Sequence, residues 1–191
     1  MVSSDFATKF LKLAKSDKNI VSFIFLLRQK RFMWRLKMDS GNIGFVLLCA
    51  AFVFVMTPGL AMFYGGLVRK KNVVNTMMTS IFIIGVGIVM WVLFGYSLSF
   101  APSGNAFIGD FRWLGLEGVS LTEGYTDGAS IPNMVFSAFQ MMFAVITPAL
   151  ITGAVAGRMK FKSIFVFTIF WSLIVYYPLA HMVWGQGGLL G

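Results

Sequence analysis

Charged residues divide this chain into long apolar intervals. No Asp, Glu, Lys or Arg occurs between Asp39 and Arg69, between Lys71 and Asp110, between Asp127 and Arg158, or after Lys162. Each interval exceeds the roughly 20 apolar residues that carry an α-helix across a bilayer. Backbone amides and carbonyls in lipid have no water to pair with, so each run must satisfy them internally, as a helix. The runs do not alternate apolar with polar residues, as the strands of a transmembrane β-barrel would. The pattern therefore predicts four spans, near residues 43–66, 74–98, 132–156 and 163–183, and an all-α fold: a polytopic transmembrane helical bundle.

Composition agrees with this reading and adds a division of the chain. The 191 residues are 58% apolar and 12% charged, whereas a soluble domain carries roughly 25% charged residues. Cys49 is the single cysteine, so no intramolecular disulfide can form. The net charge of +9 is unevenly spread: residues 1–37 hold nine Lys/Arg against two acids, and residues 38–191 hold seven against five. The chain thus divides into a basic extension, 1–37, and a membrane region, 38–191. For the extension an anionic lipid surface is the expected partner, rather than nucleic acid. Within it, Asp5 to Lys15 reads as a short amphipathic basic helix with Ser4 as its N-cap and Phe6, Phe10 and Leu13 on its apolar face. The run Ile20–Leu27 is too short to span and lacks the small-residue cleavage site of a signal peptide. Met38 is an alternative start, which would place residues 1–37 upstream of the native chain.

Loop charge sets an expected orientation. The first connection carries Arg69, Lys70 and Lys71, and the third carries Arg158, Lys160 and Lys162. The second, near 99–131, carries Arg112 against Asp110, Glu117, Glu123 and Asp127. The positive-inside rule puts the first and third connections in the cytoplasm and the residues before Asn42 outside. The nine basic residues of 1–37 argue the reverse; the two short loops outweigh them because they agree with each other.

Candidate chemistry inside the spans is sparse. The predicted spans hold no Asp, Glu, Lys or Arg, so the usual markers of proton relays and ion paths are missing from them. There are no paired carboxylates, no Cys/His cluster and no phosphate-cradling glycine loop, so neither an enzyme nor a metal or cofactor site is expected. The lone His181 reads as a hydrogen-bonded residue at the end of the fourth helix. Small residues read as packing devices. Pro58-Gly59 is expected to interrupt the first span and Gly65-Gly66 to close it; Gly85 and Gly87 lie in the second; Gly153 and Gly157 make a small-xxx-small pair in the third. Phe139 and Phe143 are four residues apart and share a helix face, bracketing Gln140, Met141 and Met142. Trp184 falls at the outer end of the fourth span. By periodicity alone a Phe pair is most simply core, and a terminal Trp an interfacial belt residue.

Three longer strings carry more information: PGLAMFYGGLVRKKNV from Pro58 to Val73, AFQMMFAVITPALITGAVAGR from Ala138 to Arg158, and YYPLAHMVWGQGG from Tyr176 to Gly188. Through them, residues 39–191 resemble the N-terminal part of the ammonium transporter family (Amt/Mep, related to the Rh proteins), and the Trp of AHMVW favours the Amt/Mep branch. The resemblance implies an eleven-helix fold with an outside N-terminus, in the cell (plasma) membrane, assembled as a homotrimer with one pore per subunit. It implies ammonium or ammonia as the substrate, no cofactor, and a PII-type regulatory protein docking on the cytoplasmic face. By the matching motifs, Phe139 and Trp184 correspond to residues lining the outer ammonium-recruitment site, and Phe143 to one member of the stacked phenylalanine gate below it. The family's buried Asp and first pore His would fall beyond Gly191, and His181 is not that His. Gly157 stands where the family usually has an acid before Arg158. The resulting expectation is an ammonium transporter sequence cut after four helices, inactive alone, whose full-length parent takes up ammonium through a hydrophobic pore. The alternative is a non-conducting membrane sensor or interaction module derived from the same family.

Overall fold

Four helices occupy the four charge-free intervals: α1 Ser40–Leu67, α2 Lys70–Phe100, α3 Asn133–Val155 and α4 Phe161–Trp184, each long and apolar enough to cross a membrane. They are seen in a computed structural model that describes residues 38–102, 105–126 and 129–190. No strand occurs among the described residues. The chain is an integral membrane protein built as an all-α bundle. The expected amphipathic helix over Asp5–Lys15 and the run Ile20–Leu27 lie outside the described residues.

Local chemistry sets the helix ends. The Asp39 carboxylate accepts the N–H of Gly41 at 2.9 Å, satisfying one of the amides that a helix start leaves free. The Asp39 N–H donates to the Ser130 carbonyl at 3.0 Å, and the Asn42 side chain donates to the Ser130 hydroxyl at 3.0 Å. These bonds tie the start of α1 to the segment leading into α3. A 3₁₀ turn, Lys70–Asn72, opens α2. At the other end of α3 the helix stops at Val155, and Gly157 adopts φ +71°, a left-handed conformation that suits glycine. Gly153 and Gly157 therefore do not form a helical small-xxx-small pair: the second glycine lies past the end of the helix, beside Asn72.

Pro58 does not interrupt α1, which continues through it to Leu67. A proline removes one backbone donor and crowds the preceding turn, but neighbouring helices hold a membrane helix together across such a site. Pro148 is carried within α3 in the same way. α2 and α4 each contain a wider π-helical stretch, Trp91–Gly95 and Ser172–Tyr176. The first stretch meets α4 at Tyr177, the residue that follows the second. A Cβ on Gly95 would lie 2.7 Å from the ring of Tyr177, so the absence of a side chain at residue 95 is what admits that ring.

The two halves of the bundle are packed differently. Toward the basic connections, helices approach at small residues, Gly65 against Met77 and Gly153 against the ring of Tyr64, with Gly87 against Val145 at mid-bundle. Gly85, by contrast, has open space around it. Ile83, Ala149 and Ile164 fill the centre of this half. Toward the acidic connection the core is aromatic, with Trp91, Tyr96, Phe100 and Tyr177 buried and Trp113, Tyr125 and Phe136 packed against them. Tyr96 stacks on Trp113 at 5.4 Å and donates its hydroxyl proton to the Asn133 side chain. The acidic connection is anchored onto α2: the Gly109 N–H donates to the Leu98 carbonyl at 2.7 Å, and the Ser97 hydroxyl donates to the Asp110 carbonyl at 2.6 Å.

Seating Tyr177 on Gly95 gives a sharp contrast for mutation. Gly95→Ala should lower stability by about 1–3 kcal/mol, because the added methyl overpacks a filled site. Gly85→Ala should stay within about 0.5 kcal/mol. Thermal unfolding of the two variants in detergent measures both, and equal stabilities would show that the ring is not seated there.

Candidate functional site

A groove of about 560 Å³ runs between α3 and α4. Its α3 wall is Phe139, Gln140, Phe143 and Thr147, and its α4 wall includes Trp171, Tyr176, Ala180, Val183 and Trp184. Both sets recur at intervals of three and four residues, the spacing that keeps side chains on one face of a helix. The three aromatic candidates from the sequence thus line one groove, with Phe139 and Phe143 offered from α3 and Trp184 from the last turn of α4.

The rings are arranged to present surface. Phe139 and Phe143 meet edge to face, with centroids 5.1 Å apart and planes at 78°, a geometry favoured by the ring quadrupoles. Phe143 is 37% exposed and Trp184 61% exposed, so both keep ring surface free for a ligand. The wall holds no charged residue, and its polar groups are few. Thr147 spends its hydroxyl proton on the carbonyl of Phe143 at 2.6 Å. The ionisable lining of the groove is limited to the Tyr176 phenol. Such a surface can hold a small cation weakly against ring faces, or admit a small neutral molecule. Among the described residues, no group of His, Cys, Asp and Glu is placed to hold a metal.

His181 lies behind this groove and does not line it. It is fully buried. Its Nδ1 lies 3.1 Å from the Ser99 carbonyl and its Nε2 lies 3.1 Å from the Asn105 carbonyl. Each ring nitrogen thus faces a backbone carbonyl, and which of the two bonds is donated depends on the tautomer. The residue is a tie between the end of α4, the end of α2 and the acidic connection, as the hydrogen-bonded reading of the sequence expected.

Sequence reasoning missed several groups. Thr147 and Tyr176 line the groove, and their spacing from Phe143 and Ala180 was a signal that could have found them. Tyr125 and Gln186 carried no such signal, being 61 residues apart. The Gln186 N–H donates to the Tyr125 phenol oxygen at 3.0 Å, and its side-chain Nε2 donates to the Tyr125 carbonyl at 2.6 Å. Burial pushes the Tyr125 phenol above its ordinary pKa, and the Gln186 N–H offsets part of that rise.

The family model for the Ammonium Transporter Family matches residues 44–191. A Bacillus subtilis ammonium transporter is 50% identical over 155 residues, covering 81% of this chain and 37% of the relative. The crystal structure of Saccharomyces cerevisiae Mep2 superimposes with a TM-score of 0.71 at 34% identity, covering 81% of this chain and 36% of that one. That of Candida albicans Mep2 gives a TM-score of 0.72 at 29% identity, covering 82% of this chain and 34% of that one. The chain therefore spans little more than a third of the length of the relatives it matches.

Two residues behind the groove can be checked directly. His181→Leu should cost about 1–3 kcal/mol by leaving a buried carbonyl without its donor, read as a lowered unfolding temperature in detergent. Tyr125 should ionise above the ordinary phenol value near 10. The fold holds the protonated phenol, so its contribution to stability is complete below about pH 10 and is lost as pH rises through the elevated folded value. The difference in phenolate absorbance between the chain and Tyr125→Phe during an alkaline titration tests this, and ionisation below pH 10 would contradict it.

Proposed function

We propose, from the premise that this chain belongs to the ammonium transporter family, that the α3–α4 groove is the recruiting end of a transmembrane ammonium pathway. The observation that supports this most directly is the placement of Phe139, Phe143 and Trp184 on one groove whose walls carry no charge. In this reading Phe139 and Trp184 receive the ion and Phe143 gates the passage beyond them.

The magnitudes favour recruitment without trapping. A cation over an aromatic face gains about 0.5–2 kcal/mol, according to how far it is desolvated. A carboxylate at 4 Å would attract it by about 4 kcal/mol at an effective dielectric of 20. A conducting site must release what it binds, and ring faces lie on the weak side of that balance. An apolar ring below the site opposes a hydrated cation. It favours stripping of water and passage of the neutral amine once a proton is lost.

The same reading extends to what family membership suggests about the rest of the protein. The basic connections, Arg69–Lys71 and Arg158–Lys162, face the cytoplasm, and the residues before α1 lie outside. The site of action is the plasma membrane, and the assembly is a homotrimer with one pathway per subunit. A PII-type regulator meets the basic face. The groove is open along one side, and further helices of a complete transporter close it.

Fluorine resonances of 5-fluorotryptophan provide the test, with the Trp184 signal assigned by loss in Trp184→Phe. In detergent at constant ionic strength, the Trp184 signal should move saturably with ammonium chloride and not with sodium chloride. Phe139→Leu should weaken the apparent ammonium affinity about 2- to 30-fold, the equivalent of one cation–π contact. An identical response to both salts, or no loss in Phe139→Leu, would refute the assignment.

A further inference from the structure

Rings on two different helices recognise one ion only if the helix ends that carry them are held at a fixed separation. Trp184 is the last residue of α4, where the helical ladder runs out and carbonyls lose their intrahelical partners. The segment after it is nevertheless folded back. The Gly185 N–H donates to the His181 carbonyl at 2.9 Å, the Gly188 N–H to the Gly185 carbonyl at 3.0 Å, and the Leu190 N–H to the Met182 carbonyl at 2.9 Å.

Gln186, two residues beyond Trp184, makes both of its bonds to a single residue of the acidic connection. Its backbone N–H reaches the Tyr125 phenol oxygen, and its side-chain amide reaches the Tyr125 carbonyl. The Tyr125 ring in turn lies flat on Phe136, with centroids 4.7 Å apart and planes at 8°. Phe136 is on α3, one turn before Phe139. Phe100, from the end of α2, meets both rings edge-on, at 5.5 Å and 5.2 Å. Tyr125 therefore grips α3 through its ring and the tail of α4 through its two oxygens. Neither Tyr125 nor Gln186 lines the groove.

We infer that Tyr125 and Gln186 form a clasp between α3 and the tail of α4 that sets the separation and orientation of Phe139 and Trp184. Tyr125 is thus a positioning residue for the cation site. The inference rests on the reading that these two rings recruit ammonium. The attraction of a ring for a cation acts within about 6 Å of the centroid, so slack in the clasp changes affinity even where the bundle stays folded. The grip has two separable parts. Tyr125→Phe removes the phenol oxygen and keeps the ring stack, while Gln186→Leu removes the side-chain donor and keeps the backbone N–H.

The fluorine spectrum of the full chain tests this with Tyr125→Phe, Gln186→Leu and the double variant. The Trp91 and Trp171 signals should stay in place, showing an intact fold, while the Trp184 signal moves before any ammonium is added. The double variant should bind ammonium at least threefold more weakly than the unsubstituted chain. An unmoved Trp184 signal together with unchanged ammonium affinity in the double variant would overturn the clasp. If the unsubstituted chain gives no ammonium response, the recruitment reading fails by itself. The clasp is then decided by the ammonium-free spectra: a displaced Trp184 signal in the double variant upholds it, and a constant one refutes it.

Discussion

Lipid offers no hydrogen bonds, and the rest of this structure follows from that constraint. Every described charged residue sits on a connection or in the terminal turn of a helix. Several polar side chains within the spans are spent on neighbouring groups. Thr79 donates to the Asn75 carbonyl, Thr168 to the Ile164 carbonyl, and the Ser80 and Thr152 hydroxyls meet each other at 3.1 Å. Such bonds remove the cost of burying a polar group and leave the helix surfaces apolar. A groove made from these surfaces has no charge with which to recognise an ion, and the quadrupoles of its rings are what remains.

The same constraint explains why the two ends of the bundle are built differently. Without a hydrophobic force between helices in lipid, association rests on close contact and interhelical hydrogen bonds. Gly65 and Gly153 toward the basic end, and Gly87 at mid-bundle, each admit a side chain from a neighbouring helix. At the acidic end Gly95 admits Tyr177 in the same way, and the helices also carry interlocked rings, from Trp91 through Tyr96 and Phe100 to Tyr125 and Phe136. Aromatic pairs contribute about 0.5–1.5 kcal/mol beyond the area they bury. They also bind a long connection onto the bundle, which small residues cannot do. The end that carries Trp184 is in this way fastened to a loop.

How much of this could be read from the sequence depends on how local each feature is. The spans were legible because a charge-free run is a property of consecutive residues. The shared face of Phe139 and Phe143 was legible because helical spacing is short-ranged. Pro58 misled because its local cost is real, yet neighbouring helices carry α1 through it. Gly157 misled because a four-residue spacing has meaning only inside a helix, and α3 ends at Val155. Which helix faced which was not legible, so the groove itself was not. Tyr125 and Gln186 were beyond reach for the same reason: their pairing depends on where a loop is laid over the bundle, and no spacing rule spans that distance.

Placing the clasp on the loop follows from the chemistry of the groove. An ion held by ring faces is held weakly, at about 0.5–2 kcal/mol per contact, so the proposed recruitment site would have little tolerance for rings that drift apart. The groove wall already carries the Thr147 and Tyr176 hydroxyls, and further interhelical hydrogen bonds there would make an otherwise apolar wall more polar. Tyr125 and Gln186 provide the same restraint from outside the spans, through an aromatic stack on one side and two hydrogen bonds on the other. Burial keeps the Tyr125 phenol neutral over a wide pH range, so the restraint adds no fixed charge near the mouth. Rigidity is thus drawn from the part of the protein where polar groups are inexpensive, and the apolar character of the groove is left intact.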